Sequence, residues 1–124
     1  MTRLLPLKLM RLLRALTLLP AIALAGCHSA FVTAIIQNQT SQPIQLIEVS
    51  YPSASFGTQS LAPGADFHYR FKVLGEGTMK LTYTDATHQE QKSEGPLLKE
   101  GAEGPITITI LPHDVHWQNG TSRR

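Results

Sequence analysis

The sequence predicts an all-β fold, a single antiparallel sandwich of about six or seven short strands, and three observations carry that reading. Phe67, Tyr69, Phe71 and Val73 alternate with Asp66, His68, Arg70 and Lys72, so one face of this stretch is apolar and the other nearly all charged. Ile106-Thr107-Ile108-Thr109-Ile110 repeats the same two-residue period. Glycine and proline signals separate the apolar runs, and no segment beyond residue 27 holds a helical apolar period of useful length.

The elements follow in order. Phe31 to Ile36 is β-branched and aromatic, and Asn38 to Pro43 ends it with turn residues. Ile44 to Tyr51 reads as a second strand with a break in phase. Ile44 and Leu46 point one way while Ile47, Val49 and Tyr51 point the other, so a β-bulge near Leu46-Ile47 is expected to bring both sets to the buried face. Tyr51 to Gly57 reads as a loop, and Leu61-Ala62-Pro63-Gly64 leads into the amphipathic strand at Asp66–Val73. After Gly75-Glu76-Gly77, Met79, Leu81 and Tyr83 alternate with polar neighbours. Asp85-Ala86-Thr87 reads as a tight connection into His88–Glu94, which has no large apolar residue and must be an edge. A loop is expected from Gly95-Pro96 to Gly104-Pro105. The isoleucine strand then closes the domain, and residues 112–124 read as a polar tail.

The chain's N-terminus is of a different kind. Arg3, Lys8, Arg11 and Arg14 precede an apolar run from Ala15 to Ala25, too short to span a bilayer comfortably and interrupted by Pro20. An uncleaved helix starting near Leu4 would place several of those cations in or beside hydrocarbon, at roughly 2.5 kcal/mol or more for a central charge. The run closes on Leu24-Ala25-Gly26-Cys27, which resembles the lipobox of bacterial lipoproteins. The resemblance implies that residues 1–26 are a signal peptide recognised through Leu24, Ala25 and Gly26. It also implies that Cys27 becomes an N-terminus carrying covalent lipid.

Composition changes once that segment is set aside. Four of the 11 Lys and Arg lie in residues 1–26 and all 9 Asp and Glu lie beyond it, so the remainder carries seven against nine, a net of −2. The basic balance belongs to the targeting segment, and the rest gives no sign of a nucleic-acid partner. The single cysteine excludes an intrachain disulfide, so stability rests on the core. Residues 27–30 form a short tether whose reach is roughly 14 Å, at about 3.5 Å per extended residue. The expected location is therefore the cell envelope, anchored to a membrane and facing the periplasm. In a Gram-negative cell His28 after the cysteine, where an Asp would resemble the inner-membrane retention signal, favours the outer membrane.

Residues 31–111 resemble the small immunoglobulin-like or transthyretin-like sandwiches of bacterial surfaces. The likeness lies in the Asn38–Ile44 turn into a strand, Leu61-Ala62-Pro63-Gly64 and the terminal Ile-Thr repeat. It implies a fold and no function. The Cys–Trp–Cys pattern of antibody domains is missing, with Trp117 placed beyond the last expected strand.

Candidate sites are few. His113 and His116 flank Asp114-Val115 and are the candidate ligands of a metal-handling alternative, which would need more ligands and an ordered outer shell; His28, His68 and His88 are not brought near them by the sequence. No nucleophile motif occurs, so no enzyme activity and no cofactor are expected beyond the lipid on Cys27. Asn38-Gln39-Thr40 and Asn119-Gly120-Thr121 fit the glycosylation sequon, a pattern with little meaning behind a lipobox. Tyr51 and Phe56, set among small residues, are candidate contacts for a partner or plugs for the end of the sandwich. Trp117 either docks on a partner or folds back on its own domain. The function expected is a lipid-anchored, non-catalytic binding or structural module close to the membrane, with an envelope protein as its partner.

Overall fold

The computed structural model describes residues 29–123, so the signal segment and Cys27 lie outside the described residues. Nine strands follow in order: β1 (Val32–Asn38), β2 (Ile44–Tyr51), β3 (Ala54–Leu61), β4 (Asp66–Phe71), β5 (Gly77–Thr84), β6 (Glu90–Leu98), β7 (Ala102–Leu111), β8 (Asp114–Asn119) and β9 (Ser122–Arg123). They form two sheets, β4-β1-β7-β8 and β3-β2-β5-β6, with the short β9 pairing with the start of β7. The fold is an all-β pair of sheets, as the alternation predicts.

Inward side chains of both sheets make one core. Val32, Ala34 and Ile36 of β1 and Ile106, Ile108 and Ile110 of β7 face Ile47 and Val49 of β2 and Met79, Leu81 and Tyr83 of β5, all buried. Each fully buried Ile, Leu or Val contributes about 1.5–3 kcal/mol relative to exposure. Asp66, Arg70, Lys72 and Lys80 are exposed, as the alternation requires, while Thr107 is half-buried.

Several expectations change. The pairing is not wholly antiparallel, because β1 runs parallel to β7, from Val32 opposite Gly104 to Asn38 opposite Ile110. The five strands between them supply the long connection that a parallel pair needs. The bulge in β2 is present, with a register shift against β5 between Gln45 and Glu48 and a positive φ of 51° at Leu46. It buries Ile44, Ile47 and Val49 but turns Leu46 out to 59% exposure, so only part of the expected set reaches the core. The bulged backbone also approaches β3, where a Cβ on Gly57 would stand 1.9 Å from the Ile47 carbonyl oxygen.

The expected loop at Tyr51–Gly57 is a hairpin. Its turn is Pro52-Ser53, and the following β3 is so rich in Ser, Thr, Gly and Gln that its period carries little hydrophobic signal. The loop expected after Gly95-Pro96 shrinks to Lys99-Glu100-Gly101 between β6 and β7. The expected polar tail from residue 112 is largely strand, since β8 pairs with β7 from Leu111 opposite Asp114 to Ile106 opposite Asn119. Polar residues suffice there because β8 is an edge, open to solvent on its outer face. Phe67 is only half-buried and Tyr69 is 39% exposed, although both lie on the apolar face of the alternation, from which burial in the core is expected. The cause is again position, because β4 is an edge strand with a neighbour on one side.

Registers give the domain two distinct ends. At the near end β1 begins at Val32, paired with Phe71, with Gly104 donating its N–H to the Phe31 carbonyl (3.0 Å). The β1–β2 turn, the Ala62–Ala65 loop, the Asp85–Gln89 turn and the β7–β8 turn gather at the far end. β1 separates the ends by roughly 23 Å, at about 3.3 Å per residue.

Candidate functional site

The far end is built by one local device used twice. Asn38, fully buried, accepts at Oδ1 from the Thr40 N–H (3.0 Å) and the Thr40 hydroxyl (2.6 Å), while its Nδ2 donates to the carbonyls of Gln42 and Leu61 (both 2.9 Å). This side chain ties the β1–β2 turn to the end of β3 with all of its hydrogen-bonding capacity used. Asp85 does the same at the end of β5, its Oδ1 accepting from the Thr87 N–H (2.9 Å), the Thr87 hydroxyl (2.6 Å) and the Gln89 N–H (3.1 Å). Gln91 donates to Oδ2 at 2.9 Å. Led by the Thr87 hydroxyl and then the Gln89 amide, these donors lower the Asp85 pKa from 3.8 to about 2. Asn119 repeats the turn with Thr121 at the near end of β8. The two sequon matches are thus strand-ending Asx turns, and Asp85-Ala86-Thr87 is a third copy.

Between these turns lies an open cleft of about 600 Å³. Ile44, Tyr83, Leu111 and Val115 give it apolar surface. Thr40 and Gln42, Asp85 and Thr87, Gln91 and Ser93 of β6, and His113 and Asp114 give it a polar surround. Burial raises the Tyr83 pKa, and the carboxylates of Asp85 and Asp114 raise it further. The cleft therefore presents a neutral phenol beside two negative charges. It opens where the edges of the two sheets, β6 and β8, come together only in part.

Trp117 closes the rest of that seam. Its indole N–H donates to the Ser93 hydroxyl (2.9 Å), and its ring lies against Gly95, where a Cβ would stand 2.5 Å from Cζ3. Trp117 is half-buried against the core, folded back on its own domain and not placed beyond the last strand. Tyr51 and Phe56 sit on the opposite flank. Phe56 is buried, with its ring stacked on Tyr69 at a centroid distance of 4.3 Å, and Tyr51 packs on Phe71 at 4.2 Å. The structure does not gather these three aromatic residues into one surface.

The histidines are also dispersed. His113 is in the β7–β8 turn lining the cleft, whereas His116 is exposed on β8, where Val115 and Trp117 take the inward positions. His68 is exposed on β4, and His88, with a positive φ of 64°, belongs to the Asp85 turn. Among the described residues no three His, Cys, Asp or Glu side chains form a group suited to a metal ion. Leu24, Ala25, Gly26, Cys27 and His28 lie outside the described residues. No family model, curated protein or solved structure matches the chain.

The sequence did not point to the cleft. Its residues come from four separate segments, and its most telling signal, the Asp85-x-Thr87 copy of Asn38-x-Thr40, is a turn motif shared by many loops.

Proposed function

We propose that the chain is a bacterial envelope lipoprotein, anchored by lipid on Cys27 and folded as an immunoglobulin-like sandwich. It acts without catalysis, as a binding module whose cleft takes a segment of a partner protein. One observation carries this reading: the cleft lies at the far end, while the chain emerges from the near end, where Ser29 and Ala30 lead into β1. A tether of roughly 14 Å then keeps the domain at the membrane and turns the cleft toward the periplasm. An outer-membrane location fits His28.

The lining suits a polypeptide segment that offers one apolar and one basic side chain. Ile44, Leu111 and Val115 would receive the first. Asp114 would receive the second through Oδ2, since its Oδ1 accepts the Val115 N–H (2.8 Å) and both Asp85 oxygens are engaged within their own turn. Metal handling by His113 and His116 is the alternative, and no arrangement of the described side chains favours it.

Site-specific photocrosslinking in living cells tests the reading. A crosslinker at Ala86, exposed beside the cleft, is expected to capture a defined envelope protein, and one at Ser60, exposed on β3, is not. Ala86→Trp, which fills the cleft, should remove a capture made from position 113. Capture from position 60 with none from 86 or 113 would contradict the proposal.

A further inference from the structure

The near end carries features that the cleft does not use. Leu74, in the β4–β5 loop, and Leu97, opposite Thr78 on β6, are 55% and 52% exposed. Both lie at the end where the chain enters. Val73 accepts the Gly101 N–H there (3.4 Å), and the Arg70 guanidinium stands 4.0 Å from the centroid of the Phe31 ring, over the first residue before β1.

Charge divides along the same axis. Glu48, Asp66, Asp85, Glu90 and Asp114 lie in the far half against Lys92, a net of four negative charges. Arg70, Lys72, Lys80, Lys99 and Arg123 lie in the near half against Glu76, Glu94, Glu100 and Glu103, a net of one positive charge. An anionic surface attracts the near half and repels the far half, so the asymmetry orients the domain as well as holding it. Leu74 stands two residues after Lys72 and two before Glu76, and Leu97 two residues before Lys99. An exposed leucine near a lysine suits the headgroup boundary, where the apolar side chain enters and the ammonium remains in water.

We infer that the near end is a lipid-contact surface, with Leu74 and Leu97 entering the headgroup region of the bilayer that holds the anchor. The domain then stands upright on the membrane with its cleft outward and does not swing freely on its tether. This inference rests on the lipid-anchor reading.

The test uses the full chain purified from membranes and reconstituted in vesicles of phosphatidylethanolamine and phosphatidylglycerol. Ser122→Cys and Ser41→Cys each place one thiol for a fluorophore, at the near and far ends respectively, both at exposed positions. The label at 122 is expected to be protected severalfold from aqueous iodide compared with the label at 41. Changing Leu74 and Leu97 together to Asp should abolish that protection while the far label is unchanged. Equal quenching at both positions would overturn the lipid-contact inference and leave the anchor standing. The wild-type protein is the control for the anchor itself: its only thiol should not react, and a reactive thiol would refute the lipid on Cys27 and this inference with it.

Discussion

The two flanks of the sandwich are closed by opposite means. On the β3–β4 side, Tyr51, Phe56, Tyr69 and Phe71 pack ring on ring, with Phe56 and Phe71 at a centroid distance of 5.5 Å. On the β6–β8 side a single indole lies in a space cleared by Gly95, and the seam beyond it opens into the cleft. One flank is sealed by a cluster whose members support one another. The other depends on one ring and leaves room for a ligand. For the binding role proposed above this asymmetry is an advantage, because the tight flank holds the sheets together while the loose one stays accessible.

The largest effect should come from the tight flank. Phe71 is 4% exposed, and Phe71→Ala should destabilise the protein by about 3–5 kcal/mol in denaturant unfolding, through lost burial and the cavity left among the other rings. Lys72→Ala, one residue along on the outer face, should stay within roughly 0.5 kcal/mol. Similar costs for the two would mean that the inward face of β4 is misassigned.

The loose flank should respond less and in a different way. Gly95→Ala places a methyl group against the Trp117 ring and should cost about 1–3 kcal/mol, the range for overpacking a filled site. Because Trp117 is the only tryptophan, its emission reports the outcome directly. A shift to longer wavelength marks displacement of the ring from the seam, and an unchanged spectrum with unchanged stability would mean that the indole does not close this flank.

The smallest effect is electrostatic and belongs to the rim of the cleft. The folded pKa of Asp85, about 2, lies below its ordinary value of 3.8, so its contribution to stability is present above pH 3.8 and fades as the pH falls through about 2. Replacing it with Asn should flatten the acid side of the stability profile within that window and leave the profile above it unchanged in shape. An unaltered acid slope would show that the hydrogen bonds of this turn do not hold the carboxylate charged.

Sequence alternation made the central strands legible and left the edges obscure, for a physical reason. Ile106, Ile108 and Ile110 are buried between two neighbouring strands and two sheets, so their period of two is strict. β3 and β8 are edge strands that need only one inward residue in several. Phe56 and Leu61 supply it in β3 and Val115 and Trp117 in β8, and the residues between them look like loop and tail. The bulge was visible as a break of phase at Leu46-Ile47, but which residue would be turned out depended on the β5 register. The cleft was not visible at all, since it is made where the β1–β2, β5–β6 and β7–β8 turns converge, and that convergence follows from strand order.

The proposed direction of the cleft follows from a lipid anchor on Cys27, ahead of the near end. Metabolic labelling with a radioactive fatty acid tests it directly. The wild-type protein should incorporate label and run at its processed size, whereas Cys27→Ser should incorporate none and accumulate as the uncut precursor. Label retained by Cys27→Ser, or never taken up by the wild type, would contradict the lipid anchor and the orientation built on it.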